Sequence, residues 1–342
     1  MKIDILCVEG SPRNITPDDL YGVGIGGAEK SLVELSQKWG ELGHFCDVYN
    51  DPVGKSNWGN VHYKPFNSFN PNDERDILIT FRGPQNIANG AKYKKHIGFS
   101  TDQYTVNSYL SWYNTVDKMV LISEFHKQDH LRRYGSIVND KGVVIDLGCN
   151  IDEYKPIPKN NDQCIFCSVP DRGLDRLYDL WPRILSQVPD AKLIITSSYG
   201  LWNRGSDEGN YHHRLKWINV PNVKFVSRVP RSELVKLQLQ SDVQLYPCTY
   251  DENFCIANAE CQVAGLYCVT SNQGALETTN MTDGKIDRRD DNFDNTFVER
   301  AVTFLKKSTP EKTEIQQEIR KKAIERFDWN NIINQWSEVI DA

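Results

Sequence analysis

Two acids with seven residues between them are the strongest chemical signal in the sequence. Glu252 and Glu260 lie in the segment YPCTYDENFCIANAE, where an apolar run turns into a helix-like stretch. If that helix starts near Asn253, Glu260 lies about 12 Å along its axis from Glu252. One carboxylate can then accept a hydrogen bond from a sugar hydroxyl and the other from a ribose, while first-turn amides face phosphate. The alternative is that Asp251 and Glu252 only cap the helix and Glu260 lies on a solvated face.

A basic residue stands at another expected strand–helix junction. Arg172 follows the apolar run 164–168 and precedes Gly173. At the carboxyl end of a strand its guanidinium can fork onto a diphosphate. A surface ion pair with Asp171 or Asp175 is the alternative, and in isolation the more common one.

A glycine-rich loop, GVGIGG at 22–27, separates the first apolar run from the first helical pattern. Glycines let backbone amides approach an anion closely, and a helix that starts near Gly27 adds its partial positive end. The alternative is a flexible loop that ends in a helix start. The glycines alone do not separate these two interpretations.

The composition is that of a globular protein. Of the 342 residues 39% are apolar and 25% charged, which excludes disordered and collagen-like chains. The net charge of -6 offers no global cationic field for nucleic acid or anionic lipid. No apolar run approaches the length of a membrane span, and nine cysteines in largely apolar surroundings suit reduced thiols. We therefore expect a cytoplasmic protein without a transmembrane segment.

Strand-like and helix-like patterns alternate along the chain. This rhythm predicts an α/β fold of two doubly wound, Rossmann-like domains that face a central cleft, the place where open parallel sheets bind ligands. The polar stretch 152–162 is predicted to be an exposed linker. The expected divisions are a first domain at 1–155, a second at 160–310 and C-terminal helices at 311–342. The pattern HKQDH at 126–130 lacks the glutamate of a zinc-protease motif and predicts a surface pair of histidines.

Several short segments, taken in order, carry a family resemblance. They are GGAE at 26–29, RGLD at 172–175, SRVPRSEL at 227–234, the two acids, and then AG at 264–265, VT at 269–270 and GALE at 274–277. Their order over nearly the whole chain resembles the retaining, nucleotide-sugar-dependent glycosyltransferases of family 4. That resemblance implies the GT-B fold, with C-terminal helices that return to the first domain.

The resemblance also implies roles for individual residues. It suggests Glu260 for the nucleotide ribose, Glu252 for the transferred sugar and its phosphates, and Arg172 for the diphosphate leaving group. The remaining donor-binding residues that it implies are Ser168, Val229 beside the base, the backbone of Asn253, Phe254, Cys255 and Ile256, and the loop residues Gly26 and Gly27. Arg172, Glu252 and Asp102 are the expected catalytic residues.

The sequence departs from the family pattern at two places. Many relatives have an arginine about five residues before the second cation, where this chain has Cys167 or Ser168. Many also have a first-domain histidine near the sugar, where this chain offers Thr101 and Asp102.

The expected activity is transfer of a sugar from a nucleoside diphosphate to an acceptor hydroxyl, with retention and without a metal or other cofactor. One alternative is a catalytically weak protein that only binds sugar nucleotides. Another is a glycosyltransferase that acts on modified DNA bases. The acceptor class stays open among carbohydrate, lipid-linked, protein and nucleic-acid acceptors.

Overall fold

The computed structural model describes residues 1–10, 14–22, 24–202 and 208–341. Backbone contacts divide the chain into two compact units. The first comprises Met1–Leu20, Ile25–Gly148 and the chain from Trp329 onward, and the second comprises Tyr21–Gly24 and Cys149–Asp328. The first unit is therefore built from separate stretches of sequence.

The first unit has an eight-stranded sheet in the order β3-β4-β2-β1-β5-β6-β7-β8, parallel except for the antiparallel β3–β4 pair. Its strands are β1 (Lys2–Leu6), β2 (Phe45–Tyr49), β3 (Asn57–Trp58), β4 (Val61–Lys64), β5 (Ile77–Phe81), β6 (Lys95–Ser100), β7 (Lys118–Leu121) and β8 (Gly142–Val144). Its helices are α1 (Pro17–Tyr21), α2 (Gly27–Glu41), α3 (Tyr109–Thr115), α4 (Glu124–Tyr134), α5 (Ile137–Lys141) and, from the end of the chain, a helix at Trp329–Asp341.

The second unit has a six-stranded parallel sheet in the order β11-β10-β9-β12-β13-β14. Its strands are β9 (Gln163–Cys167), β10 (Lys192–Thr196), β11 (Val223–Phe225), β12 (Val243–Tyr246), β13 (Tyr267–Ser271) and β14 (Lys285–Ile286). Its helices are α6 (Leu174–Leu185), α7 (Glu208–Trp217), α8 (Arg231–Gln240), α9 (Ile256–Val263), α10 (Leu276–Thr279), α11 (Phe293–Leu305) and α12 (Thr309–Phe327), and the helix at Trp329–Asp341 is α13.

The stretch 152–162 is not simply an exposed linker, in contrast to the prediction. Tyr154 is fully buried, and the Nζ atom of Lys159 donates hydrogen bonds to three backbone carbonyl groups of the second unit. An aromatic ring and a long amphipathic side chain can bury most of their surface beside an otherwise polar sequence. The polar composition of this stretch therefore did not reveal the two residues that anchor it to the second unit.

The last helix completes the core of the first unit. The Trp336 ring of α13 lies edge-on to Trp39 of α2 at 5.4 Å and to Phe99 of β6 at 5.0 Å. The Trp329 indole donates a hydrogen bond of 2.8 Å to Glu34. Because Trp39, Phe99 and Trp336 are fully buried, α13 is a structural part of this unit.

We predict that Trp336→Ala lowers the free energy of unfolding of the first unit by roughly 3–5 kcal/mol, because it removes a large buried ring and leaves a cavity. Urea unfolding followed by circular dichroism measures the change. Gln335→Ala, at an exposed position of the same helix, is the control. Equal stabilities for the two variants would show that α13 contributes little to this core.

Candidate functional site

The turn that carries Arg172 is held by a glycine. Pro170–Arg172 forms a short 3-10 turn after β9, and Gly173 follows with a φ of 102°. A Cβ atom on Gly173 would collide with the backbone carbonyl of Pro247. This position therefore requires glycine for its left-handed conformation and for its close approach to the chain after β12.

The backbone of Glu252 is fixed in a similar way. Glu252 forms an isolated parallel bridge with Gly274, and its carbonyl accepts a hydrogen bond of 2.7 Å from the Ala275 amide. A Cβ atom on Gly274 would collide with the Glu252 backbone. The acid is thus attached to the loop after β13 and is not part of a helix.

Arg172 and Glu252 meet at the carboxyl ends of β9 and β12. The Arg172 Nε atom lies 3.1 Å from Glu252 Oε1, and the guanidinium lies 3.5 Å from the centre of the Tyr250 ring. Tyr246 donates a hydrogen bond of 2.7 Å to Glu252 Oε1. Since the Tyr246 proton is used there, the hydroxyl of Ser168, 3.3 Å away, donates to the Tyr246 oxygen. Two sequence segments, 168–172 and 246–252, therefore converge at one carboxylate.

The local electrostatics keep the Arg172 guanidinium ionised. Burial opposes the charged form of Arg172, but the Glu252 carboxylate and nearby groups raise its pKa above the ordinary value. Burial raises the pKa of Tyr246 well above its ordinary value, so Tyr246 remains a hydrogen-bond donor. The Arg172 and Glu252 side chains keep exposed fractions of 16% and 13%, which leaves part of the pair open to a ligand.

Helix α9 begins at Ile256, three residues later than the sequence predicts. Its N-cap is Cys255, which has a φ of 69°, a conformation that favours glycine and costs about 1 kcal/mol for other residues. Asn258 and Ala259 donate their amide hydrogens to the Cys255 carbonyl. The amides of Ile256 and Ala257 precede these bonds, and helix geometry leaves such amides for an anion or water.

Two expected donor-binding residues between the acid and the helix are buried. Asn253 is 7% exposed, and the Phe254 ring lies edge-on to Phe327 at 5.8 Å. The Phe254 side chain is therefore a core group, and only its backbone remains for the predicted role. Because Glu252 bonds to Gly274 and Arg172, the helix-capping alternative for Glu252 is wrong.

Glu260 lies in α9 and is only 3% exposed. It is not on a solvated face. Its Oε1 atom lies 2.8 Å from Nη1 of Arg231, the first residue of α8. The surface alternative for Arg172 also fails, since Asp175 pairs with Lys216 and Asp171 accepts a hydrogen bond from Tyr199.

Val229 lies half-buried in front of α8, next to part of the glycine-rich loop. Gly24 has a φ of 81°, and a Cβ atom on it would lie 3.2 Å from the Val229 carbonyl oxygen. Val23 lies outside the described residues. Gly24 belongs to the second unit by its contacts, whereas Gly26 and Gly27 belong to the first and form the N-cap and first residue of α2.

In the first unit, Asp102 belongs to a partly buried ionic group. Arg82, with a φ of 64° after β5, donates two hydrogen bonds to the Asp102 carboxylate, one of them 3.1 Å long, and also pairs with Glu29 of α2. Burial raises the pKa of Glu29, although Arg82 opposes this change. The Asp102 side chain is 32% exposed, so a ligand can reach it.

His126 and His130 are fully buried, so the predicted surface pair is wrong. The His126 Nδ1 atom accepts the Ile122 amide hydrogen at 3.4 Å, and Nε2 therefore donates to the Asp102 carbonyl at 3.2 Å. His130 bonds to the Tyr113 hydroxyl. Helical spacing put both histidines on one face but did not show that this face is packed against α3.

Three features of the site have weak sequence signals. The residue types of Tyr246, Arg82 and Arg231 suggest only packing or solvation. The carboxylate partners of the two arginines are distant in sequence. Among the described residues, no group of three or more His, Cys, Asp and Glu side chains has the arrangement of a metal site. No helix in the described part of the chain is long and apolar enough to cross a membrane.

Comparison with known proteins places this site in a recognised domain. Residues 153–286 match the family described as Glycosyl transferases group 1, and this segment contains Arg172, Arg231, Glu252 and Glu260. The chain is a glycosyltransferase. A search of curated proteins found no match to this sequence.

Solved structures identify the fold of this glycosyltransferase as GT-B. A sucrose-phosphate synthase from Thermosynechococcus elongatus superposes with a TM-score of 0.72 at 15% identity, over 99% of this chain and 98% of that chain. A glycosyltransferase from Rickettsia africae gives 0.71 at 18% identity, over 99% and 97%. Anabaena HepE in complex with UDP and glucose gives 0.68 at 15% identity, over 100% and 99%.

We predict that Gly173→Ala lowers the free energy of unfolding of the glycosyltransferase by about 3 kcal/mol, since a backbone collision adds to the left-handed strain. Gly43→Ala is the matched control, because Gly43 has a φ of 85° with no atom within 4 Å of a built Cβ. It should cost about 1 kcal/mol. Urea unfolding measures both, and equal costs would disprove the collision.

A second prediction concerns acid stability. Burial lowers the pKa of His126 to about 4, although Asp102 and Asp129 oppose this shift. As the pH falls from 7 towards 4, the His126 imidazole binds a proton in the unfolded state but stays neutral in the folded state. The free energy of unfolding therefore decreases. His126→Gln should weaken this pH dependence by about 2 kcal/mol in urea unfolding. The exposed His212→Gln should leave it unchanged, and an unchanged slope for His126→Gln would contradict the prediction.

Proposed function

We propose that this glycosyltransferase moves a sugar from a nucleoside diphosphate to an acceptor hydroxyl, with retention of anomeric configuration, as the resemblance to family 4 implies. The observation that supports this most is the Arg172–Glu252 pair beside the start of α9. It combines a cation, a carboxylate and the backbone amides of a helix start, which are the groups that a sugar diphosphate requires.

The chemistry requires stabilisation of a leaving group. When the sugar–phosphate bond breaks, negative charge develops on the diphosphate and positive charge on the sugar. Arg172 and the amides of Ile256 and Ala257 donate to the diphosphate, and fixed donors of this kind supply several kcal/mol. Since these groups can neutralise the leaving group, we propose a reaction that needs no metal.

Glu252 has a different part in this proposal. Its Oε1 atom forms an ion pair with Arg172 and accepts a hydrogen bond from Tyr246. The orientation of the carboxylate is therefore fixed before a ligand binds. A preoriented carboxylate accepts hydrogen bonds from hydroxyl groups of the transferred sugar and favours the positive charge that develops there. Glu260 would hold the ribose.

The first unit would provide the acceptor side. Asp102 lies at the carboxyl end of β6, where Arg82 and His126 fix both its carboxylate and its backbone. We propose that Asp102 contacts the transferred sugar or the acceptor hydroxyl. The nine free cysteines also fit a cytosolic enzyme, because such thiols persist in a reducing compartment.

Uridine nucleotides are the first donors to test, since HepE was solved with UDP and glucose. A panel of UDP, GDP and ADP with their glucose conjugates would identify the base by thermal stabilisation. Proton NMR of the product formed from the best donor would then establish the anomeric configuration. An inverted product would disprove retention while leaving sugar transfer intact.

We predict that Arg172→Ala lowers kcat about 100-fold while it weakens nucleoside diphosphate binding less than about 10-fold, because the charge it meets develops in the transition state. Arg176→Ala, one helical turn further along, is the control because it pairs with Asp294 instead. Steady-state kinetics and calorimetry give the two quantities. Equal effects of the two variants would remove Arg172 from the mechanism.

Glu260→Ala should weaken nucleoside diphosphate binding about 10-fold, as expected for a lost charged hydrogen bond. Calorimetry with the best nucleotide of the panel measures this change. Nucleotide binding by the wild-type protein without transfer or hydrolysis, over a broad acceptor panel, would favour a binding protein. Binding to duplex DNA with a steep salt dependence would favour the modified-base acceptor.

A further inference from the structure

Arg231 lies at the centre of a buried polar cluster behind the expected ribose site. Its Nε atom lies 2.8 Å from Oε2 of Glu153, and Nη1 lies 2.8 Å from Oε1 of Glu260. Nη2 donates a hydrogen bond of 3.0 Å to the Tyr154 hydroxyl. The side chains of Arg231 and Glu260 are only 5% and 4% exposed. One guanidinium therefore joins α8, α9 and the chain that enters the second unit.

The cluster has a fixed direction of hydrogen bonding. Tyr154 donates its proton to Gln238 Oε1 at 2.9 Å, so its oxygen is the acceptor for Arg231. The Gln238 amide nitrogen lies 3.8 Å from the Sγ atom of Cys261, the residue after Glu260. Burial raises the pKa of Tyr154 well above its ordinary value, which keeps the phenol protonated. Each group thus holds its neighbour in one orientation.

Stability alone is a weak reason for this arrangement. The desolvation of buried charges often cancels the attraction between them, and apolar replacements of similar volume are often as stable. An ionised Glu260 without a cation would nevertheless be costly at this depth. A role in ligand binding explains the arrangement better than stability does, because a ligand would need the Glu260 carboxylate in a fixed orientation.

The distribution of charge indicates which part of a ligand that would be. Glu153 and Glu260 would repel a phosphate, but they accept hydrogen bonds from neutral hydroxyl groups. The phosphate-binding groups stand at the other end of the segment, at Arg172 and the start of α9. Glu260 follows Ile256 by about 6 Å along the helix. The phosphates of a nucleoside diphosphate would therefore contact the amides at the start of α9, and its ribose would contact the carboxylates.

We propose that Arg231 is a positioning residue, which orients the Glu260 carboxylate so that it accepts the ribose hydroxyls of the donor. This inference rests on the proposed function of the site. Arg231 would act through Glu260 and would not touch the reacting atoms. Its effect should therefore appear in the preference for ribose over deoxyribose.

The test compares binding of the best nucleoside diphosphate of the panel and its 2′-deoxy analogue by calorimetry. We expect the wild-type protein to prefer the ribonucleotide about 10-fold. Arg231→Gln should lose most of this preference through weaker ribonucleotide binding, with little change for the deoxynucleotide, and Arg231→Lys should restore part of it. Tyr154→Phe, which removes only the phenol oxygen, should reduce the preference less and serves if Arg231→Gln does not fold.

A double-mutant cycle separates positioning from a general structural effect. In a Glu260→Gln background, Arg231→Gln should not change the ribose preference further. An unchanged preference in the single Arg231→Gln variant, or tighter ribonucleotide binding through relief of competition for Glu260, would overturn the inference. If the wild-type protein binds both nucleotides equally, the inference fails while donor binding stands. If it binds no nucleoside diphosphate, the proposed function itself fails.

Discussion

Close backbone approach at the carboxyl edge of the second sheet is the constraint on which the site depends. Gly173 lies against Pro247, and Gly274 lies against Glu252, at distances that leave no room for a Cβ atom. The main chain therefore sets where the Arg172 and Glu252 side chains begin, and only a few bonds remain for each to adjust. Tyr246, Tyr250 and Ser168 then restrict that remaining freedom. A site built in this way is organised before any ligand arrives, which is the condition for effective electrostatic stabilisation.

Arginine is used in two ways in this protein. Arg82 and Arg231 each lie between two carboxylates, in the first and second unit respectively. Arg172 pairs with the Glu252 carboxylate and stacks on the Tyr250 ring. The planar guanidinium, with its five donors, suits both uses, whereas a lysine ammonium would not reproduce the geometry. In the function proposed above, the first arrangement would prepare acids for neutral hydroxyl groups, and the second would leave a cation near a developing anion.

Mostly apolar runs of the sequence predict strands. The runs 192–196 and 243–246 coincide with β10 and β12, since central strands of a parallel sheet are buried on both faces. Strands β2 and β6 are harder to predict from the sequence because they contain Asp47 and His96. Lys64 and the Thr80 hydroxyl, which make those polar groups tolerable in a sheet, come from other strands. Local patterns do not contain such partners.

The site was predictable in part for the same reason. Residue type and order indicated Arg172, Glu252 and Glu260, but not what each would contact. The partner of Glu260 is 29 residues away in sequence, and the backbone positions of Glu252 and Gly274 depend on a bridge between two loops. The burial of His130 depends on packing against Tyr109 and Tyr113 of α3, which helical periodicity does not specify. Contacts between residues that are distant in the sequence thus cannot be predicted from the local patterns of a single sequence.

The separate origin of α13 has a consequence for biosynthesis. The ribosome makes this helix only after the whole second unit, so the nascent first unit waits with the ring surfaces of Trp39 and Phe99 uncovered. At translation speeds of about 5–20 residues per second, that delay lasts roughly 10–40 s. During this interval the incomplete unit exposes an apolar aromatic surface. We expect this surface to bind chaperones that hold nascent chains until they are complete.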